Sequence, residues 1–235
     1  MSSIISPLIQ KAVVFIVSLL CLSSAVADGA NNHLNKIQFI QHHFDQQSGH
    51  TELWQNGWFG LFASVATLQG VAYSRTENEP RLTDRKVGFT TSFLGAADLL
   101  LNPMKTHRYA QQLRDMPEDT PQQQQHKASQ AQAWLEAVAE REAYEQSWVN
   151  HLLSGVVNGL AGAVVANEGN RTAQGVATFV SGMVASELKI YTAPQQSVGA
   201  LQRLRQGDYR SAAKPMPRRW QFAASGPVLL AQYRF

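Results

Sequence analysis

Hydrophobic and polar positions fall in blocks along this chain. Four blocks, residues 54–73, 87–101, 148–166 and 172–191, are almost free of charge. The second closes at Asn102-Pro103 and the fourth before Pro194, and a residue preceding proline is pushed out of the helical region. A charged connector broken by Pro80 joins the first block to the second, and Glu168-Gly169 joins the third to the fourth. The pattern predicts an all-α fold with a four-helix core, made of two antiparallel helical hairpins at about 52–103 and 148–194.

The flanking sequence adds shorter elements. Leu34, Ile37, Ile40 and Phe44 recur at helical spacing and predict an amphipathic helix over 32–47, ended by Ser48-Gly49. Thr120-Pro121 supplies an N-cap and a first-turn proline. The Gln-rich stretch beyond predicts one long polar helix running into the second hairpin, with Trp134, Leu135, Val138, Tyr144 and Trp148 as its apolar positions. Val198, Leu201 and Leu204 predict a short helix over 195–206. Alternation of Trp220 and Phe222, then of Leu229, Ala231 and Tyr233, about Gly226-Pro227 predicts a C-terminal β-hairpin.

The two hairpins resemble a duplication. Trp54-Gln55-Asn56 corresponds to Trp148-Val149-Asn150. Gly88 and Gly95 correspond to Gly175 and Gly182, each pair followed by an acid, Asp98 or Glu187, and then a proline.

The N-terminus changes the picture of location. Lys11 precedes an uncharged apolar run over 12–22, and Ala25-Val26-Ala27 offers the small residues a signal peptidase reads. The run is too short to span a bilayer comfortably. Residues 1–27 are therefore expected to be a cleaved signal peptide, and the protein to be exported to the periplasm or cell envelope. Leu20 before Cys21 does not suit a lipoprotein site. Cleavage would remove the only cysteine, and with it any thiolate chemistry from the mature chain.

Composition narrows the rest. The chain is 44% hydrophobic and only 16% charged, which excludes collagen, long coiled coils, disulfide scaffolds and wholly disordered chains. Its formal charge of +3 hides a division. Residues 192–235 carry Arg203, Arg205, Arg210, Lys214, Arg218, Arg219 and Arg234 against Asp208 alone, while 28–191 hold an excess of acid. The domain reading is a signal peptide, a helical domain over 28–191 and a basic appendage over 192–235. Arg203, Arg205, Arg210, Lys214, Arg218 and Arg219 suit an anionic membrane surface. No nucleic-acid-binding motif accompanies them.

Candidate chemistry is sparse. No catalytic or cofactor motif is present, and Gly155-Val-Val-Asn-Gly159 follows no strand and is no phosphate loop. The protein reads as non-enzymatic, with no cofactor. His42, His43 and His50 could supply imidazole ligands to a metal, although adjacent helical histidines diverge by about 100°. Asp98 and Glu187 stand inside apolar blocks. If the hairpins face each other, the two carboxylates, with Asn56, Asn150 and His151 nearby, would form a polar site able to hold a cation or proton.

Membrane and water make opposed claims on the apolar blocks. Gly155-x3-Gly159 suits close helix packing, and Trp54, Trp58, Trp148 and Tyr191 lie where interfacial anchors would. Asp98, Glu187 and Lys189 inside the blocks, and the excess of basic residues on what would be the exported side, oppose spanning. The leading expectation is an envelope helical bundle that binds a membrane surface or a protein partner, with helix-mediated self-association. The second is an integral-membrane protein with the Asp98–Glu187 site, related to transport.

Overall fold

A computed structural model describes residues 7–209, with side chains from Asn31 onward, and the backbone of 220–225 and 228–233. The helical body is all-α. Helix α1 spans Pro7–Ser74, α2 Glu79–Leu101, α3 Thr106–Asp115, α4 Pro121–Glu145, α5 Trp148–Asn167, α6 Thr172–Tyr191 and α7 Gln196–Arg205. Segments Trp220–Ser225 and Val228–Tyr233 lie antiparallel, Trp220 opposite Tyr233. Arg210, Lys214, Arg218, Arg219 and Arg234 lie outside the described residues.

Three boundaries differ from the sequence reading. Ser48-Gly49 does not end the first helix. Helix α1 passes straight through, with the Ser48 hydroxyl donating to Phe44 O and open space where a Gly49 Cβ would stand, so the small pair carries no turn. The polar helix does not run into the second hairpin. It stops at Glu145, and Ser147 caps α5 by accepting from Asn150 N. The sequence reading placed no element between Pro103 and Thr120, where α3 stands. Its start lacks a side-chain cap, which left no local signal. At Thr120 the expected cap is present as a full capping box with Gln123.

The body has two ends of different chemistry. At one, residues 31–52 of α1 pack with α3, α4 and α7 into a head. Its core is conventional: Phe39, Ile40, Phe44, Leu113, Leu135, Val138 and Leu204 are buried, with Tyr109 stacked on Trp134. At the other, the last third of α1 pairs with α2 and α5 pairs with α6, the hairpins touching through α2 and α5. The large buried apolar cluster therefore lies in the head rather than between the hairpins.

Hairpin packing rests on small residues. Gly162 of α5 lies against Gly175 of α6, so closely that a Cβ on Gly175 would overlap the Gly162 carbonyl oxygen and the Ala166 side chain. A Cβ on Gly182 would strike the Asn158 amide, and Gly88 and Gly95 of α2 receive Gln69 and Phe62 of α1. Gly155 and Gly159 meet nothing and are not the packing pair. Opposite effects are expected from one substitution at two places. Gly175→Ala forces two helix backbones apart and costs about 1–3 kcal/mol. Gly159→Ala gains up to about 1 kcal/mol from helix propensity. Thermal unfolding of the full chain distinguishes them, and equal shifts would contradict this packing.

Candidate functional site

At the junction of head and hairpins, charged side chains are gathered indoors. Lys189, near the end of α6, places Nζ 2.5 Å from Glu145 Oε1 and 3.1 Å from Asp98 Oδ2. Arg141 Nη1 lies 2.6 Å from Glu145 Oε2. The Glu145 side chain is 1% exposed and that of Lys189 10%, so the charges are compensated away from water. Lys189 Nζ also stands 5.7 Å from the centre of the Trp54 ring, whose Nε1 donates to Lys189 O at 3.0 Å. Arg141 Nε donates to Asn102 O, and Asn150 Nδ2 to Glu145 O, so the cluster ties α1, α2, α4, α5 and α6 together.

The proposed facing of Asp98 and Glu187 does not occur. Asp98 meets Lys189, while Glu187 meets His151 Nδ1 at 3.0 Å, both of that pair 43% exposed. Asn56 is exposed on α1 and bonds to neither acid. Asn150 serves the α4–α5 junction rather than a carboxylate site. The sequence reading put Asp98 and Glu187 in one site with His151 nearby, whereas Asp98 belongs to the Lys189–Glu145 cluster and Glu187 meets His151 apart from it. Lys189 was the base within reach, and Glu145 had no apolar block around it to draw attention.

A second buried cluster lies inside the head. Glu142 of α4, wholly buried, accepts from both Ser197 N and Ser197 Oγ at 2.7 Å. Ser197 opens α7, so the carboxylate satisfies a helix-start N–H that would otherwise lack a partner. His43 Nε2 of α1 lies 3.0 Å from the same hydroxyl. Burial pushes the Glu142 carboxyl up to about 7, against the Ser197 hydrogen bonds that favour ionisation. Burial, with the Arg203 charge beside it, lowers the His43 imidazole to about 4. The residue types are those of a hydrolase triad in the wrong order: a fully buried serine stands between acid and base.

The histidines do not form a metal centre. His43 is committed to Ser197, and His42 Nε2 bonds Gln46 Nε2 at 2.8 Å. Because α1 continues past Gly49, His50 stays about two turns along the helix from His43 instead of folding back. Among the described residues no group of three or more His, Cys, Asp or Glu could hold a metal ion. Of the basic residues expected to meet an anionic surface, Arg203 and Arg205 stand on α7, which packs into the head: Arg205 approaches Glu136 of α4 at 3.9 Å, and Arg203 Nε donates to Gly199 O.

Between the hairpins lies a cavity of about 650 Å³, bordered by α1, α2, α5 and α6. Its lining combines Gln69, Arg81, Asp84, Arg85 and Gln174 near the hairpin turns with Ser92, Thr178 and Asn158 deeper down. Asn158 is 6% exposed, and its Nδ2 donates to Ser154 O and Ser186 Oγ. Across the turn end, Arg171 reaches from the second hairpin to grip both Asp84 oxygens and Pro80 O. Compared with protein-family models, curated proteins and solved structures, the chain shows no match.

Proposed function

We propose that this is an integral-membrane protein of the cell envelope, its two hairpins set in the bilayer and its head in water. The observation that carries this reading is an inversion of polarity within one molecule. Apart from Tyr144, every large hydrophobic side chain exposed among the described residues lies between Leu53 and Tyr73, Phe89 and Leu101, or Trp148 and Tyr191. In α5 the buried positions are Asn158, Ala161, Gly162 and Val165, while Leu152, Val156, Leu160 and Val164 face outward. Small and polar residues inside with large aliphatic ones outside is the arrangement that lipid favours. The opposite arrangement in the head suits water.

Lengths agree with this reading. Helices α5 and α6 have 20 residues each, or about 30 Å, the thickness of a hydrocarbon core. Helix α5 with its terminal turn is long and apolar enough to cross a membrane. The charges that opposed spanning lie at the margins. Asp98 is a turn from the end of α2, Glu187 and Lys189 are within about a turn of the end of α6, and His151 is in the first turn of α5. Trp148 and Tyr191 flank that same level as interfacial anchors.

In this reading the N-terminal apolar run directs the head across the membrane, and the hairpin turns return to the cytoplasmic face. The role is non-enzymatic: the bilayer-held hairpins present the head and enclose the polar cavity. The junction charges fix the head to the hairpins, and the basic appendage approaches an anionic surface or the acidic α4. That Gly88/Gly95 and Gly175/Gly182 each face the partner helix of their own hairpin supports a duplicated hairpin.

Alkaline carbonate extraction of envelopes, followed by flotation, is expected to leave the full chain with the lipid. Release as a soluble oligomer would overturn the proposal and assign the outward leucines and valines to contacts between copies.

A further inference from the structure

We propose that the cavity between the hairpins binds the phosphate headgroup of an anionic phospholipid, with the lipid's tail against the apolar outer walls. The proposal rests on the bilayer reading above. It starts from charge. Asp84 is the one carboxylate among the described lining residues, and Arg171 consumes it with bonds of 3.0 and 2.6 Å. That leaves Arg81 and Arg85 as a positive surplus at the cavity's turn end.

Arg85 is held in place. Its Nη1 donates to Gln69 Oε1 at 2.9 Å, and the Gln69 side chain lies against Gly88, where a Cβ would crowd it. The glycine thus makes room for the amide that aims the guanidinium. Arg81 has no ion pair among the described residues. Planar guanidinium forks match phosphate oxygens better than ammonium groups do.

Depth identifies the ligand as more than a free anion. Arg81 and Arg85 lie within two turns of the start of α2, roughly 3–9 Å below the turn, at the level of a headgroup. The cavity continues past them to Ser92 and Asn158, both buried, and to Phe62, about 10 Å further along the helices. Its volume of about 650 Å³ falls within the roughly 300–1,000 Å³ of small-molecule sites. Inorganic phosphate would occupy only the mouth. The Ser92 hydroxyl at mid-depth suits an ester oxygen, and Leu61, Phe62 and Val65 of the lining suit the start of an acyl chain. With the turns on the cytoplasmic face, the site opens to the leaflet that carries anionic lipid.

The test uses the purified full chain offered equal amounts of phosphatidylglycerol and phosphatidylcholine, with bound lipid read by native mass spectrometry. Phosphatidylglycerol is expected to dominate, and Arg81→Gln with Arg85→Gln to lower it about tenfold, as loss of charge-assisted bonds implies. Arg85→Lys should recover part of the binding. Lys86→Gln, which removes a charge lying over the Tyr73 ring outside the cavity, should leave it unchanged. Equal uptake of the two lipids, or equal loss in the Lys86 variant, overturns the proposal. Displacement of the lipid by inorganic phosphate overturns its lipid half and leaves an anion site. Carbonate extraction of the same variants separates the two readings. Wild-type release defeats the bilayer assignment, whereas retention without lipid preference defeats only this site.

Discussion

Replacing Lys189 with methionine is expected to be among the most damaging single changes in the protein, costing about 3 kcal/mol or more. The methionine keeps the length and apolar stem of the lysine but removes the positive end. Glu145 and Asp98 are then left with Arg141 as the only base in the cluster, and Glu145 is 1% exposed. Two carboxylates then share one base, and Glu145 Oε1, which faced Lys189, loses its partner where water can enter only by opening the junction. At roughly 2–4 °C for each kcal/mol in a chain of this size, the thermal midpoint should fall by about 6–12 °C.

Asp98→Asn supplies the contrast. Asp98 is 36% exposed, so water replaces much of what Lys189 gives it, and its loss should cost about 1 kcal/mol or less. The double variant Lys189→Met, Asp98→Asn should recover part of the stability, because Arg141 and Glu145 then remain as a matched pair. Equal losses for Lys189→Met and Asp98→Asn would show that burial does not govern this cluster. Head and hairpins would then be joined by their apolar contacts through Trp54, Leu99 and Met104.

Helix positions were legible because their signals are local. Asn102-Pro103, Thr120-Pro121 and Pro194 each act within a turn of themselves, and α2, α4 and α6 end or begin beside them. The α4–α5 break was missed because Ser147 is an ordinary residue until its hydroxyl finds Asn150 N. Which face each helix turns inward was also missed. In water the rule is large apolar residues inside, and α5 follows the reverse rule with Asn158 and Gly162 inside. Periodicity gives the two faces of such a helix but not the solvent that meets them.

The buried acids left a sequence trace of another kind. On α4 the inward stripe runs Ala131, Leu135, Val138, Glu142, Glu145, so two carboxylates continue an apolar period without a break. On α1 the stripe Ile40, Phe44, Gln47, Thr51, Trp54 is likewise continued by polar groups. An acid on a core-facing stripe is a stronger sign of a built polar site than an acid inside an apolar block. Asp98 and Glu187 drew attention by the second criterion, and Glu142 and Glu145 satisfy the first. Their partners, Ser197 and Lys189, come from distant elements that no local pattern could name.

The Glu142–Ser197–His43 cluster leads to an expected pH dependence that is hidden in the wild type. Glu142 titrates at about 7 in the fold against an ordinary value of 4.5. Between those values the folded chain holds a proton the unfolded chain has lost, so this residue lowers stability as pH rises from 4.5 to 7. His43 titrates at about 4 against 6.5. Between those values the unfolded chain holds the extra proton, so this residue raises stability as pH rises from 4 to 6.5. Each shift of roughly 2.5 pH units corresponds to about 3 kcal/mol. The two slopes oppose each other and nearly cancel between pH 4.5 and 6.5. Denaturant unfolding of the wild type should therefore change little from these two groups across that window. Glu142→Gln should uncover the histidine slope, with stability rising by about 3 kcal/mol from pH 4 to 6.5. His43→Gln should uncover the opposite slope, a fall of similar size from pH 4.5 to 7. If both variants kept the wild-type profile, neither group would titrate away from its ordinary value, and Ser197 would join two residues whose burial has no electrostatic consequence.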